Sequence, residues 1–423
     1  MDIRKGDVII IGGGVIGLSA AYYAAMAGAE VIVLEKGEIG CGCSSGNAGL
    51  IGRSYLEPLP SPGVIRESAR EIFDPEGFFG IKPRLDIGFL SWIIGFLRSS
   101  NKKHFAFAVD TFSRLNAEAA RAHMELAELG GGRYDFKKSG LLLIFGSNHR
   151  FHQAHKRQER ATACGVICRV LSREEVLEQE PAVGEHAVGG IHYSEDASLD
   201  PRLFLQWIGG EAKAYGARII SGAEVYGFKT SRNQVKTVLT TKGDYRSEQV
   251  VVACGSWLSQ VCGQLGRKIP VEGGRGISLT FPVTEERVRQ PLLLDESHIA
   301  ITPFTTSLRL TGVLELAGLD LTLNVRRMRG VHRAASRYVP MLQELKPIEI
   351  WRGLRPCIPD GLPVLGQLDP WENVLVAGGH DGRGVSLGPI TGKYVTRLLN
   401  GESMGDLGKR LSPKRLQSFS FLH

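Results

Sequence analysis

The stretch from Asp7 to Lys36, DVIIIGGGVIGLSAAYYAAMAGAEVIVLEK, constrains the fold more than any other part of the chain. Val8 to Ile11 is a β-branched apolar run of the kind a strand buried on both faces requires, and Gly12, Gly13, Gly14 and Gly17 follow it. Gly12 permits a tight turn, Gly14 with Val15 and Ile16 brings backbone close to a pyrophosphate, and Gly17 lets a helix, Leu18 to Ala27, pack closely on the strand. Gly28 ends that helix. A second strand, Glu30 to Leu34, leads to Glu35, where a carboxylate can accept hydrogen bonds from ribose hydroxyls and repel a 2′-phosphate. Strand, glycine turn, helix, strand and acid together predict a site for an adenine dinucleotide, and this stretch does not separate FAD from NAD.

The composition of the 423-residue chain is that of a globular protein long enough for two domains, with 43% hydrophobic and 22% charged residues. The net charge is +7, but the cations are scattered, with only short clusters such as Arg326, Arg327 and Arg329, so no nucleic-acid partner is expected. The seven cysteines, Cys41, Cys43, Cys164, Cys168, Cys254, Cys262 and Cys357, are odd in number and lack paired CxxC spacing. Reduced thiols, no metal site and a cytoplasmic location follow as expectations. Because MDIRKGDVII runs straight into the first strand, no signal peptide is expected, and no run of eighteen apolar residues occurs that would predict a bilayer span.

Further along, Gly37 to Gly52 (GEIGCGCSSGNAGLIG) is so rich in small residues that its backbone is expected to lie against something flat. Residues 85–103 combine Phe89, Trp92, Ile93, Phe96 and Leu97 at helical spacing with Arg98, Lys102 and Lys103. A core-facing helix is the default reading, and an interfacial helix contacting a membrane surface is the sharper one. Helices are expected over Phe105–Leu129, Arg150–Cys164, Ser172–Gln179, Asp200–Tyr215 and Asn324–Tyr338, and short β pieces over 276–316 predict an antiparallel sheet. Val250 to Val252 ends in Ala253, Cys254 and Gly255, a second small-residue turn able to meet the dinucleotide. Near the C-terminus, Val374 to Ala377 reads as one more buried strand. A glycine turn then feeds a helix whose start is placed near Leu387 to Thr391, a second anion-attracting N-terminus.

GGGVIGLSAAYY with EKG, SSGNAG, VVVACGSW, GISLTFPV, WRGLRPCIPDGLPVLG and AGGHDGRGVSLGP occur in the order of the D-amino-acid oxidase-like (DAO) flavoprotein superfamily, which the chain resembles over nearly its whole length. Within it, DESHIAITPF, RLTGVLELAG and LRPCIPDGLPVLG are similar to the small-subunit bacterial D-amino-acid dehydrogenases. The resemblance implies a mixed α/β chain: a Rossmann-like FAD-binding domain of glutathione-reductase type (1–53, 140–262 and 352–423) and a discontinuous antiparallel-sheet substrate domain (54–139 and 263–351). It implies FAD held by Gly12, Gly14, Val15, Ile16, Gly17, Glu35 and Lys36. The isoalloxazine would lie on Gly42, Cys43, Ser44, Asn47, Ala48 and Gly49, with further contacts from Val225, Ala253, Gly255, Gly379, Asp381, Gly382, Arg383, Gly384 and Val385.

Arg355 in the GLRP turn resembles the superfamily arginine that binds a substrate carboxylate, and a guanidinium fork suits two parallel charge-assisted bonds. Where related oxidases often place a tyrosine hydroxyl, this chain reads SHIAITPF, leaving His298 as the second catalytic candidate. The activity implied is oxidative deamination of an amino acid, most closely a D-amino acid, by hydride transfer from Cα to flavin N5, with a quinone or dye-type acceptor. The alternatives are a secondary-amine oxidase or dehydrogenase acting on proline, hydroxyproline, sarcosine or glycine, and a flavin electron-carrier subunit without a substrate of its own. A peripheral position on the inner face of the cell membrane goes with the interfacial reading of 85–103.

Overall fold

The structure is a computed structural model that describes residues 4–64, 71–72, 74–84, 86–285 and 287–419. Two sheets organise it. In the first, Arg4–Ile11 lies parallel between Val31–Leu34 and Gly243–Val252, with Ile9 opposite both Ile32 and Val250. Gly243–Val252 also pairs in parallel with Val374–Gly378, and the hairpin Val225–Ser231 with Gln234–Thr240 extends the sheet antiparallel. The central strands read as unbroken apolar runs because both faces are covered. Ile10, Val33 and Val251 pack under helices on one side; Ile9, Ile32 and Val252 pack on the other.

The helix Val15–Met26 covers the first of those faces together with Pro201–Ala214 and Gly384–Leu399. Val15–Met26 is buried along nearly its whole length, so it carries no polar stripe, as expected for an internal helix. Its contact with Gly384–Leu399 is made through small residues. A Cβ at Gly392 would stand 2.5 Å from the Ser19 carbonyl oxygen.

The second sheet has the strand order Glu349–Cys357, Glu272–Pro282, Ser307–Leu316, Ile299–Pro303, Leu292–Leu294, Leu141–Phe145, Gly189–Tyr193 and Cys168–Ser172. Most pairs are antiparallel, as predicted for 276–316. The chain division is less simple than expected. Leu141–Phe145, Cys168–Ser172 and Gly189–Tyr193 hydrogen-bond into this second sheet, whereas the sequence reading grouped 140–262 with the nucleotide-binding part. A five-residue apolar strand such as LLLIF carries no mark of which sheet will bury it.

Local chemistry sets most boundaries where predicted. Asp200 caps Pro201–Ala214 through bonds from the Arg202 and Leu203 N–H groups, and Ser172 with Glu175 forms a capping box on Arg173–Gln179. Lys102–Gly130 ends on Gly131 in the left-handed region. The predicted Arg150–Cys164 helix is instead two, Asn148–Phe151 and Ala154–Ala163, because Ser147 caps an earlier start and the chain turns at His152–Gln153. Helix Ile87–Ser99 buries Phe89 and Trp92, the latter donating to the Cys357 carbonyl at 3.0 Å. Its other face presents Ile87, Leu90, Ile94 and Leu97 at 64, 54, 42 and 46% exposure.

Replacing Gly392 with alanine should cost about 1–3 kcal/mol of unfolding free energy, the usual penalty for forcing a methyl group into a packed contact. Chemical denaturation of Gly392→Ala beside Gly401→Ala, where a Cβ meets no atom within 4 Å but the positive φ is strained, separates overpacking from backbone strain.

Candidate functional site

A cavity of about 1250 Å³ is lined from both sheets. The first strand delivers its glycine turn to one end. Gly12 has φ +114°, and a Cβ there would lie 2.5 Å from the Ala253 carbonyl oxygen, so the two small-residue turns touch through bare backbone. A Cβ at Gly17 would sit 1.9 Å from the Gly12 carbonyl oxygen. Gly14, Val15 and Ile16 at the start of the Val15–Met26 helix line the cavity, and the Val15 N–H donates to Ser44 Oγ at 3.0 Å. A helix start of this kind attracts an anion, and the Ser44 hydroxyl keeps its own proton to donate.

Glu35 also lines the cavity, but its oxygens are already engaged: Oε2 accepts from Gly13 N–H at 2.6 Å and Oε1 from Gly37 N–H at 2.8 Å. Each oxygen retains capacity for a ribose hydroxyl. Lys36 places Nζ 3.4 Å from the centre of the Trp257 ring, and burial lowers its pKa.

Gly42, Cys43, Ser44, Asn47 and Ala48 line the cavity, and three separate parts of the chain hold their loop. The Asn47 side chain donates to the Gly382 carbonyl at 3.0 Å and accepts from Gly49 N–H at 2.8 Å. Arg309, on Ser307–Leu316, donates through Nη1 to the Ser45 and Asn47 carbonyls at 3.0 and 3.1 Å. The Trp351 indole lies where a Cβ on Gly46 would be, 2.0 Å away. Burial pushes the Cys43 thiol up to about 11, partly offset by the Arg355 guanidinium, so it is protonated near neutrality. All seven cysteines are free.

At the far end of the chain, Asp381, Gly382, Arg383, Gly384 and Val385 line the cavity, as do Val225, Ala253 and Gly255. Gly17, Gly49 and Gly379 do not; the first two pack against the Gly12 and Leu199 carbonyls and Gly379 against the Ile358 side chain. The helix starts at Gly384, earlier than Leu387, and runs through Pro389. Pro389 has no N–H for the Val385 carbonyl, and the His123 Nε2 reaches the Val385 and Ser386 carbonyls at 3.1 and 3.0 Å instead. Burial lowers the His123 pKa to about 4, which keeps it neutral in this role. Arg383 is packed between the rings of Tyr55 and Phe112, 3.9 and 4.2 Å away, and donates to the Glu57 carbonyl. Its charge is therefore largely spent on the protein itself.

Arg355 lies on Glu349–Cys357 with its guanidinium in the cavity, over Gly276, where a Cβ would come within 3.0 Å of it. Its Nη1 donates to the Val313 carbonyl. Val313 has φ +65° and sits at a bulge where the ladder steps from Arg275 to Ile277, so the strand distorts at the point that meets Arg355. His298 lines the same cavity from the turn before Ile299–Pro303, with its ring 4.4 Å from Phe78. Although open to the cavity, it lies deep enough that desolvation lowers its pKa below the ordinary histidine value.

Several lining groups escape sequence reasoning. The lining residues Trp351, Val313 and Asp196 carry no signal; Arg309, which holds the loop from behind, is a charged residue inside an apolar strand run, a usable signal. Asp196 is buried beside Ser54, whose N–H and hydroxyl both donate to it, and desolvation raises its pKa to about 7. Because the folded state holds this proton longer than the unfolded chain, stability should fall as pH rises from about 4 to about 7 and then level off. Asp196→Asn should flatten that segment of a stability profile measured by urea unfolding; an unchanged slope would reject the assignment.

A family model described as FAD dependent oxidoreductase (DAO) matches residues 7–398. A D-amino acid dehydrogenase of Vibrio atlanticus is 27% identical over 409 residues, covering 94% of this chain and 96% of that one. One from Xylella fastidiosa is 29% identical over 399 residues, covering 93% and 91%. Among solved structures, glycine oxidase from Geobacillus kaustophilus aligns with TM-score 0.81 at 21% identity, covering 97% of this chain and 99% of that one. L-proline dehydrogenase from P. horikoshii aligns with TM-score 0.77 at 21% identity, covering 99% of both.

Proposed function

The chain belongs to the DAO family of FAD-dependent oxidoreductases, and from that premise we propose that it oxidises an α-amino acid, most closely a D-amino acid, to the imino acid. Water then yields the 2-oxo acid and ammonia. FAD supplies the two-electron acceptor. The observation that carries the reading is Arg355, a guanidinium fork presented into the cavity and braced by the Val313 carbonyl. Such a fork suits a carboxylate better than an ammonium point charge would.

For the cofactor, the start of Val15–Met26 and Ser44 take the pyrophosphate, Glu35 the ribose, and the 42–49 loop with Gly382 to Val385 the ring. Arg355 holds the substrate carboxylate and so orients Cα. His298, kept neutral by burial, takes a proton from the substrate ammonium. The electron acceptor is a quinone or dye-type compound. The exposed Ile87, Leu90, Ile94 and Leu97 stripe, followed by the exposed Lys102 and Lys103, supports a reading in which this face rests on an anionic membrane surface. Among the described residues no helix is long and apolar enough to cross a membrane.

Anaerobic bleaching of the bound flavin by a panel of D- and L-amino acids and secondary amines tests the reaction class. Bleaching by a D-amino acid is expected. Bleaching by proline or sarcosine alone would make it a secondary-amine enzyme, and no bleaching would make it an electron carrier. Arg355→Ala should raise KM by about two to three orders of magnitude, from the roughly 2–5 kcal/mol lost when one partner of a buried charged pair is removed. Wild-type kinetics in that variant would reject the carboxylate role.

For His298, kcat/KM should show an acidic limb with an apparent pKa below about 6.5 that disappears in His298→Gln. An identical limb in the variant would remove His298 from the reaction. Leu90→Glu with Ile94→Glu should abolish co-sedimentation with anionic liposomes, and indifference of the intact protein to liposomes would end the membrane reading.

A further inference from the structure

Arg309 is 2% exposed, yet its hydrogen-bond partners are backbone carbonyls and the Thr280 hydroxyl rather than a carboxylate. Phe304 lies 5.1 Å from its guanidinium. Burial lowers its pKa, and the charges of Asp200 and Glu349 only partly compensate. A desolvated cation held this way is costly unless it does something the fold or the site needs.

Its two carbonyl contacts, Ser45 and Asn47, belong to alternate peptide groups of the small-residue loop. In a planar trans peptide the C=O and N–H point in opposite directions. With both carbonyls drawn to one cation, the N–H groups of Gly46 and Ala48 point away from it. Gly46 and Ala48 both line the cavity. We propose that Arg309 is a positioning residue for FAD: it turns the loop so that the Gly46 and Ala48 N–H groups form a donor pair facing the cofactor. The flavin edge that gains electron density on reduction is an acceptor of such donors. Oriented peptide dipoles backed by a buried cation favour it without reorganisation.

The inference depends on FAD binding and is independent of the substrate assignment. It is tested on purified holoenzyme by the FAD dissociation constant and the flavin midpoint potential, neither of which requires an amine. Arg309→Met should weaken FAD binding by about tenfold or more, as loss of charge-assisted bonds of roughly 1.5–3 kcal/mol implies, and move the potential to a more negative value. Arg309→Lys, which keeps the charge but offers a point donor in place of a fork, should fall between the two. A methionine variant with lowered Tm but wild-type FAD affinity, visible spectrum and potential would overturn the proposal and leave Arg309 a packing residue. If Arg309→Met does not fold, the lysine variant decides: altered affinity and potential support the proposal, and wild-type values overturn it.

Discussion

The small-residue loop between Gly42 and Gly49 is the joint on which the site depends, because it is the piece of backbone that both sheets hold at once. The Val15 N–H from the first sheet's helix reaches Ser44, the C-terminal turn takes Asn47 through the Gly382 carbonyl, and Arg309 reaches over from the second sheet. A typical neutral bond of this kind contributes about 1 kcal/mol net, and the charge-assisted bonds of Arg309 roughly 1.5–3 kcal/mol. Together they fix a glycine-rich segment, and glycine surrenders more conformational entropy on ordering than any other residue. The cavity wall for a flat cofactor is therefore made by contacts outside the loop itself.

The same site shows how a fold handles polar groups it has buried. Pro389 removes one hydrogen bond from the continuous Gly384–Leu399 helix, and the Val385 carbonyl it leaves, at the cavity, is met by His123 from Lys102–Gly130. Arg383 lies between Tyr55 and Phe112, and Arg355 is turned by a carbonyl on a distorted strand. Each is a local irregularity compensated by a residue distant in sequence. Irregular backbone concentrates at functional sites in this way because regular ladders leave no spare carbonyls to aim side chains.

Much of the nucleotide end was legible beforehand. The strand, the glycine turn and the helix follow one another as expected, although the helix starts at Val15 rather than Leu18, and Gly12 and Gly17 have the close approaches that demand glycine. The capping pair Ser172 and Glu175 and the glycines at 130–132 mark helix ends where the structure has them, because capping is decided by neighbours in sequence. The last helix starts at Gly384 rather than near Leu387, so the glycines of the turn run straight into it, and His123 meets the carbonyl that Pro389 leaves inside. The strands at 141–145, 168–172 and 189–193 could have joined either sheet on pattern alone.

What the sequence determined by itself was the existence of the dinucleotide turn, the antiparallel character of 276–316 and a carboxylate-binding candidate in the GLRP segment. The first two rest on short-range spacing and alternation; the third rests on the resemblance of the GLRP segment to the superfamily's carboxylate-binding arginine, a role that a guanidinium fork suits. Which sheet each apolar strand joined, how Arg355 is braced, and that a buried Arg309 grips the loop were decided only by tertiary structure. These depend on pairs such as Arg309 with Asn47 and Arg355 with Val313, whose separations in sequence are 262 and 42 residues. Local propensity carries no information about a partner that far along the chain; only the folded packing brings donor and acceptor within reach.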